Sequence, residues 1–476
     1  MATTSSPQPA PHLRRALGAW DLTWLSVVAI ANLNVVPVIA ASGPATVWLW
    51  SAALALFFLP QGITVIELAH RFPGEGGIYV WAKHAFGDFH GFLCGWCYWT
   101  TNMFFIPTLL FYLAGIMAYA GGKQAAALAE NRVFFFLLTI GLLWLTAFAN
   151  IRGVGVGKWV NNSGGVGTLI AASILIIFGV ATVLRHGAGI PLSSFAPATI
   201  DWSVVSSFGV ICFGLVGLEL GPVMGDEIRD PEKNVPKGVF RGGLISGGLY
   251  VGATLSLLLA VRQQDMRVVQ GVLQAMDKMT GGFGVGWILV PVALFMGAAI
   301  IGSTSAWLSG SARIMFVSGL DRYLPKVLGK VHPRHDTPHI ALIAIAALSS
   351  LLVSMSFIGA GVKEAYLTLL DLAVVLQMLS YLYLYATLAR VAFGAGFQAG
   401  GVYSRARLRL SAVAGLISTG IGMVVAFVPS RQIDSAWRFE SKMLVTCAAF
   451  LGLGAFLFRY YSRRQAQEPA IVAVNV

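Results

Sequence analysis

The chain has 476 residues, of which 57% are hydrophobic and only 11% charged, with a formal net charge of +12. A typical globular protein carries about 25% charged residues, and a mean hydropathy of +0.75 is more apolar surface than a soluble core can hide. These values exclude an ordinary soluble domain and point to lipid as the solvent.

Apolar runs in chain order predict about twelve membrane-spanning helices, at 20–43, 46–69, 89–119, 132–149, 162–184, 203–227, 239–261, 284–317, 339–357, 365–389, 410–429 and 440–460. Each is about as long as a bilayer requires at ~1.5 Å of rise per residue. The first 13 residues, rich in Ser and Pro, lack the basic-then-apolar layout of a signal peptide, so the first span acts as its own insertion signal. Most of the 32 Lys and Arg fall on one side of these spans, among them Arg14, Arg15, Arg229, Lys233, Lys237, Arg322, Arg405 and Arg464. That asymmetry is the positive-inside pattern and places both termini in the cytoplasm. The basic surplus therefore reports topology and gives no reason to expect a nucleic-acid partner.

Two spans are interrupted. The first contains Asn32-Leu33-Asn34-Val35-Val36-Pro37; Asn tolerates locally bonded backbone, and Pro37 has no N–H to give the carbonyl four residues back. The sixth contains Gly209, Gly214 and Gly217, followed by Glu219 and Pro222, and three glycines weaken a helix at its middle. The interruptions lie five spans apart. This is the pattern of a five-plus-five inverted repeat, in which discontinuous helices at matching positions mark a substrate site near the midplane. Gly and Pro are also packing devices in membrane helices, the reading that suits Gly115, Gly141 and Gly179.

The remaining chemistry is sparse. Cys94 and Cys97 form a C-x-x-C inside an apolar run, and Cys212 and Cys447 stand alone in other spans. With no second pair at zinc spacing, four buried free thiols are expected, and no metal site. The eight His lie in tails or near span ends and none forms H-E-x-x-H. No nucleophile and base are clustered, so neither an enzyme nor a cofactor is expected.

Four stretches resemble the amino acid–polyamine–organocation family of transporters. They are Leu17-Gly18 with Asp21-Leu22, the run Glu67 to Trp81 containing Phe72-Pro73-Gly74-Glu75-Gly76-Gly77, Gly217-Leu218-Glu219 followed by Gly225 to Lys237, and Asp321-Arg322-Tyr323-Leu324-Pro325 followed by His332-Pro333-Arg334 and Thr337-Pro338. The resemblance runs over most of residues 17–390 with the motifs in order. It implies an all-α polytopic fold with a cytoplasmic tail at 1–19, a first repeat at 20–184 and an inverted second repeat at 203–390. Two peripheral helices at 410–460 and a tail at 461–476 complete it. It also implies a site between helices 1, 3, 6, 8 and 10.

In the family, helix 1 unwinds at a G-x-G, and here Asn32, Leu33 and Asn34 occupy that place. Such a break frees N–H groups at the start of the next half-helix, suited to a substrate carboxylate. The two Asn either put their amides into the site or only satisfy the broken backbone. Phe213 aligns with the aromatic that the arginine/agmatine antiporter places over its substrate. The carbonyls of Phe213, Gly214 and Val216, at a break bounded by Gly217, would hold an ammonium. Trp307 and Asn102 match further substrate contacts by resemblance; read alone, each suits packing equally well. Glu219 sits at a family position tied to proton sensing or amine recognition. Asp371 lies about two turns into span 10, where it either joins that role or caps the helix, and Gln377 could reach the same cavity. An intramembrane carboxylate costs roughly 2.5–3.5 kcal/mol on insertion scales and so usually faces a cavity or a partner.

Some proton-coupled members carry a Lys in the middle of helix 5. Here that stretch is Gly164 to Ala171 without a charge, and Lys158 is near the membrane edge. Coupling through that Lys is not supported; exchange of two substrates, or proton coupling through Glu219 or Asp371, stays open. The expected function is secondary transport of an amino acid or related amine, as permease or antiporter, across the cell membrane. A polyamine transporter and a non-transporting nutrient sensor on the same fold are the alternatives. No signal for oligomeric state is present, since helices 11 and 12 read as ordinary lipid-facing spans.

Overall fold

A computed structural model describes residues 15–122, 127–128, 131–188, 190–197, 200–261, 271–356, 362–394, 397, 400–428 and 436–467. Among these the chain is almost wholly helical, as expected where lipid offers the backbone no hydrogen-bond partners. The helices are α1 (Ala19–Ile30), α2 (Val36–Ala40), α3 (Thr46–Arg71), α4 (Ile78–Phe86), α5 (Asp88–Ala120), α6 (Arg132–Ile151), α7 (Val154–His186), α8 (Ser207–Gly214) and α9 (Leu220–Val223). They continue with α10 (Pro231–Ala260), α11 (Gly271–Gly282), α12 (Leu289–Leu320), α13 (His339–Ser356), α14 (Val362–Phe393), α15 (Arg405–Val425) and α16 (Ala436–Gln467).

Nine helices among the described residues are long and apolar enough to cross a membrane. The broken crossings α1–α2 and α8–α9 and the shorter apolar helix α13 account for the rest of the twelve expected. Exposed tryptophans sort into two levels. Trp20 and Trp159 lie near the starts of α1 and α7, while Trp48 and Trp437 lie near the starts of α3 and α16, and Trp202 and Trp287 just before α8 and α12. Two such levels are what the two membrane–water interfaces select.

Several boundaries differ from the hydropathy reading. α7 starts at Val154 and not at 162: the glycine-rich polar run that hydropathy passes over is helical, with Gly157 and Asn161 buried and Val156 and Trp159 exposed. α4 is a separate helix, turned from α5 at Gly87. α11 lies between the seventh and eighth crossings, outside every apolar run; its polar residues hide it from a hydropathy window. α16 continues to Gln467, while 1–14 and 468–476, read as tails, lie outside the described residues.

The core is built by close helix approach. α7 packs most extensively against α12, and at Gly164 an added Cβ would stand 2.7 Å from the Cα of Gly302. A π-helical turn at Leu54–Phe58 interrupts α3 just before Pro60. Pro60 cannot donate to the Leu56 carbonyl, which accepts the Ser418 hydroxyl at 2.9 Å instead, and the Tyr385 hydroxyl donates to the Phe57 carbonyl at 2.6 Å. Neighbouring helices thus satisfy what the π turn releases. α15 and α16 lie at the edge, α15 against α14 and α16 against α5 and α14.

All four sequence motifs meet at one end of the bundle. Arg229 N–H donates to the Leu17 carbonyl at 2.9 Å, Gly76 N–H to the Val223 carbonyl at 3.0 Å, and Asp226 N–H to Glu75 Oε2 at 3.0 Å. On the same end Lys83 Nζ reaches Asp321 at 2.7 Å. Glu67, paired with Arg71 at 2.7 Å, accepts the N–H groups of Val402 and Tyr403, which holds the α14–α15 loop.

Candidate functional site

The break in crossing 1 leaves backbone polar groups that the rest of the protein partly recaptures. Asn32 Nδ2 donates to the Ala29 carbonyl, so this amide caps the end of α1. Trp307 Nε1, from α12, donates to the same carbonyl at 3.1 Å. The Tyr250 hydroxyl, from α10, donates to the Ile30 carbonyl and accepts the Asn32 N–H at 3.0 Å. The N–H groups of Leu33 and Asn34 have no acceptor among the described residues.

Crossing 6 breaks between Gly214 and Leu220. Gly217 has φ +136°, a backbone conformation that a side chain strains, and an added Cβ would also stand 2.9 Å from Ile30. Both demands fix glycine there. Of the three carbonyls expected to be free, that of Phe213 accepts the Val216 N–H at 3.1 Å. That carbonyl is taken because the chain tightens into a turn as α8 ends. The carbonyls of Gly214 and Val216 have no donor among the described residues.

Asn32, Asn102, Phe213, Gly214, Val216 and Trp307 line one cavity between the two breaks. Phe105 joins them, edge-on to Phe213 at 5.0 Å and to Trp307 at 6.0 Å. Thr101, Tyr250 and Gln377 complete its polar lining. Asn102 Nδ2 is spent on the Tyr98 carbonyl at 2.9 Å, while its Oδ1 is buried without a partner. Gln377 is wholly buried, and both its Nε2 and Oε1 lack partners. Leu33 and Asn34 face a neighbouring cavity with Leu109, Tyr112 and Met296; Asn32 lines both. There Tyr366, from α14, donates its hydroxyl to the Asn34 carbonyl at 3.1 Å, and Asn34 Oδ1 stays unpaired.

The two carboxylates are not brought into either cavity. Glu219 is buried behind Gly217 and accepts from Tyr98 Oη at 3.1 Å, Gln61 Nε2 at 3.2 Å, Gly217 N–H at 3.1 Å and the Tyr381 hydroxyl. Asp371 is half-buried on α14 and has no hydrogen bond or ion pair among the described residues. On the other side of α1, Asp21 accepts from Asn162 Nδ2 at 2.8 Å and lies 3.6 Å from Lys158 Nζ. That pairing ties Lys158 to the end of α1. Thr168 is spent on the Gly164 carbonyl, and Ser303 and Thr304 hydroxyls are buried without partners.

At the motif end, Arg313 sits between two carboxylates, with Glu227 Oε1 at 2.5 Å and Glu75 Oε1 at 3.4 Å. Burial, and next the charge of Glu227, push the Glu75 carboxyl well above the usual carboxylate range, against the pull of Arg313. Burial also raises Glu227, with Arg313 opposing.

Sequence reading placed Asn32, Asn102, Phe213, Gly214, Val216 and Trp307 together, and it missed Tyr250, Thr101, Phe105 and the Gln61–Tyr98–Tyr381 surround of Glu219. A tyrosine 218 positions from its partner gives no local signal. Gln61, an amide beside Pro60 in an apolar run, did carry one.

Comparison with known proteins gives a consistent picture. The sequence profile of the amino acid permease family matches residues 17–453. An uncharacterized transporter of Legionella pneumophila is 26% identical over 94% of this chain and 96% of its own length. A probable agmatine/putrescine antiporter of Lactococcus lactis is 23% identical over 72% of each chain. Among solved structures, MhsT in complex with L-phenylalanine superposes with a TM-score of 0.62 at 14% identity, covering 87% of this chain and 99% of that one. At that identity the likeness is one of fold.

Proposed function

The chain belongs to the amino acid permease family and is a multi-pass membrane transporter, and we propose that it carries an amino acid or a related amine by alternating access around the cavity between its broken helices. One observation supports this most: six residues from crossings 1, 3, 6 and 8 line one cavity, with unclaimed backbone groups beside it. The carbonyls of Gly214 and Val216 suit an ammonium, and the N–H groups of Leu33 and Asn34 suit a carboxylate, with Asn32 between the two cavities. Phe213 and Trp307 cover the solute's apolar part, and Asn102 adds a polar contact. Gly217 permits the turn that exposes the carbonyls.

Residues 20–184 and 203–390 are then the inverted repeats that rock against each other, with 410–460 outside them. Glu219 touches this machinery through the Gly217 N–H, the route by which a proton or the solute's amine would act on it. Asp371 is the second candidate for proton coupling, and exchange against a counter-substrate is the alternative. The cell membrane is the location we propose, and the basic residues around Arg229 and Lys237 support a cytoplasmic motif end and cytoplasmic termini. A diamine is the second reading, favoured by the similarity to a probable agmatine/putrescine antiporter.

Thermal unfolding of the purified protein against a panel of amino acids, polyamines and sugars tests the reading, since a ligand of the native state raises apparent stability. A concentration-dependent rise with an amino acid or amine is expected. A response confined to other solute classes would sink it.

A further inference from the structure

Resting on the proposed cavity, we infer that Gln377 selects the solute, and that the preferred solute is an amino acid whose side chain is neutral and both donates and accepts hydrogen bonds, as a carboxamide does. The polar groups of the lining are uncharged without exception: Asn32, Thr101, Asn102, Tyr250, Trp307 and Gln377. Most are already committed. Thr101 donates to the Cys97 carbonyl at 2.8 Å, Trp307 and Asn32 donate to Ala29, and Tyr250 serves Ile30 and Asn32. Among the lining side chains, the buried polar atoms left over are Asn102 Oδ1 and both of Gln377, on residues with no exposed surface.

Buried amides in native proteins are nearly always hydrogen-bonded, and one with a whole carboxamide unpaired is an exception that asks for a partner. Among the described residues none supplies that partner, which leaves the cavity's occupant, a solute or a water, as its source. The chemistry of the gap is specific. A carboxamide offers a donor to Gln377 Oε1 and an acceptor to Nε2 at once. An ammonium satisfies Oε1 and leaves Nε2 hydrogens facing a positive charge; a carboxylate satisfies Nε2 and faces Oε1; an alkyl chain satisfies neither. A cationic side chain would also lack a counter-charge, because Glu219 is enclosed by its own four donors and lines neither cavity. Sites built on hydrogen bonds reject analogues that cannot make them.

The test uses the full-length protein in proteoliposomes and initial uptake of labelled L-asparagine, L-glutamine, L-alanine and putrescine. One carboxamide amino acid is expected to be taken up with a KM about tenfold below those of alanine and putrescine. Gln377→Met, which keeps length and removes both polar atoms, raises that KM about tenfold and the alanine KM less than about threefold. Gln377→Glu shifts preference toward putrescine. Preference of the wild type for alanine or putrescine, or an equal effect of Gln377→Met on every solute (the result if a water alone fills the gap), overturns the inference and leaves the transport reading standing. Uptake of none of the four overturns the inference, and the wider panel of amino acids and amines then decides the transport reading. Should Gln377→Met not fold, the wild-type order of preference and Gln377→Glu still decide.

Discussion

The hydroxyl of Tyr250 stands in for a missing turn of helix at Asn32: it accepts the Asn32 N–H at 3.0 Å and donates to the carbonyl of Ile30. A side chain from the seventh crossing therefore holds the end of the first. Tyr250→Phe removes both contacts without changing shape; the Asn32 N–H keeps the Ile30 carbonyl as its acceptor, so two hydrogen bonds are lost without either group being stranded. A loss of about 1–3 kcal/mol is expected, read as a lower unfolding temperature, together with slower uptake. An unchanged unfolding temperature would show that the break does not depend on this hydroxyl.

Gly217 is held by conformation and by space. Gly217→Ala meets a φ of +136° and places a Cβ 2.9 Å from Ile30, so roughly 1–3 kcal/mol of backbone strain adds to the overlap. Unfolding temperature should drop further than for Gly248→Ala, where no neighbour lies within 4 Å. Side-by-side thermal scans of the two variants check this, and equal shifts would contradict it.

Glu219→Gln replaces an acceptor of four hydrogen bonds by an amide whose NH2 must face at least one donor. The expected cost is about 1–3 kcal/mol, and uptake should fall by at least tenfold. If Glu219 carries the coupling proton, the residual uptake also loses its dependence on pH. A variant with wild-type uptake and the same pH profile excludes Glu219 from both roles.

Glu75 gives a pH prediction of definite sign. A carboxyl whose folded pKa lies above its unfolded value binds a proton more tightly when folded, so its contribution is present at low pH and is lost as pH rises through the folded value. Glu75 is in that position because of its burial and the charge of Glu227. Glu75→Gln keeps a neutral group there at every pH. Unfolding temperatures should therefore move in the variant's favour as pH rises from about 4.5, the ordinary value, toward neutrality. A difference independent of pH would mean that Glu75 is ionised throughout, matched by Arg313.

The broken crossings were legible because Asn, Gly and Pro act on their own backbone, so Asn32, Pro37 and Gly217 announce themselves locally. What closes around those breaks was not, since Tyr250, Tyr366 and Tyr381 reach them from residues more than 150 positions away. The amide of Asn32 also illustrates a split role: its nitrogen serves the broken backbone, while the residue still lines the cavity. Hydropathy placed the long crossings, and it hid α11 and the first turns of α7, where polar and glycine residues lower the mean; α11 is mostly buried, while α7 begins with Val156 and Trp159 exposed.

The most direct test of the account is flux. The full-length protein in proteoliposomes, loaded and unloaded with amino acid, is followed for uptake of labelled amino acids and amines, beside Phe213→Ala and Asn34→Leu variants of equal reconstitution and unfolding temperature. The account predicts saturable uptake by the wild type, reduced at least tenfold in both variants. Wild-type uptake in both variants, or no movement of any amino acid or amine by the wild type, would contradict it.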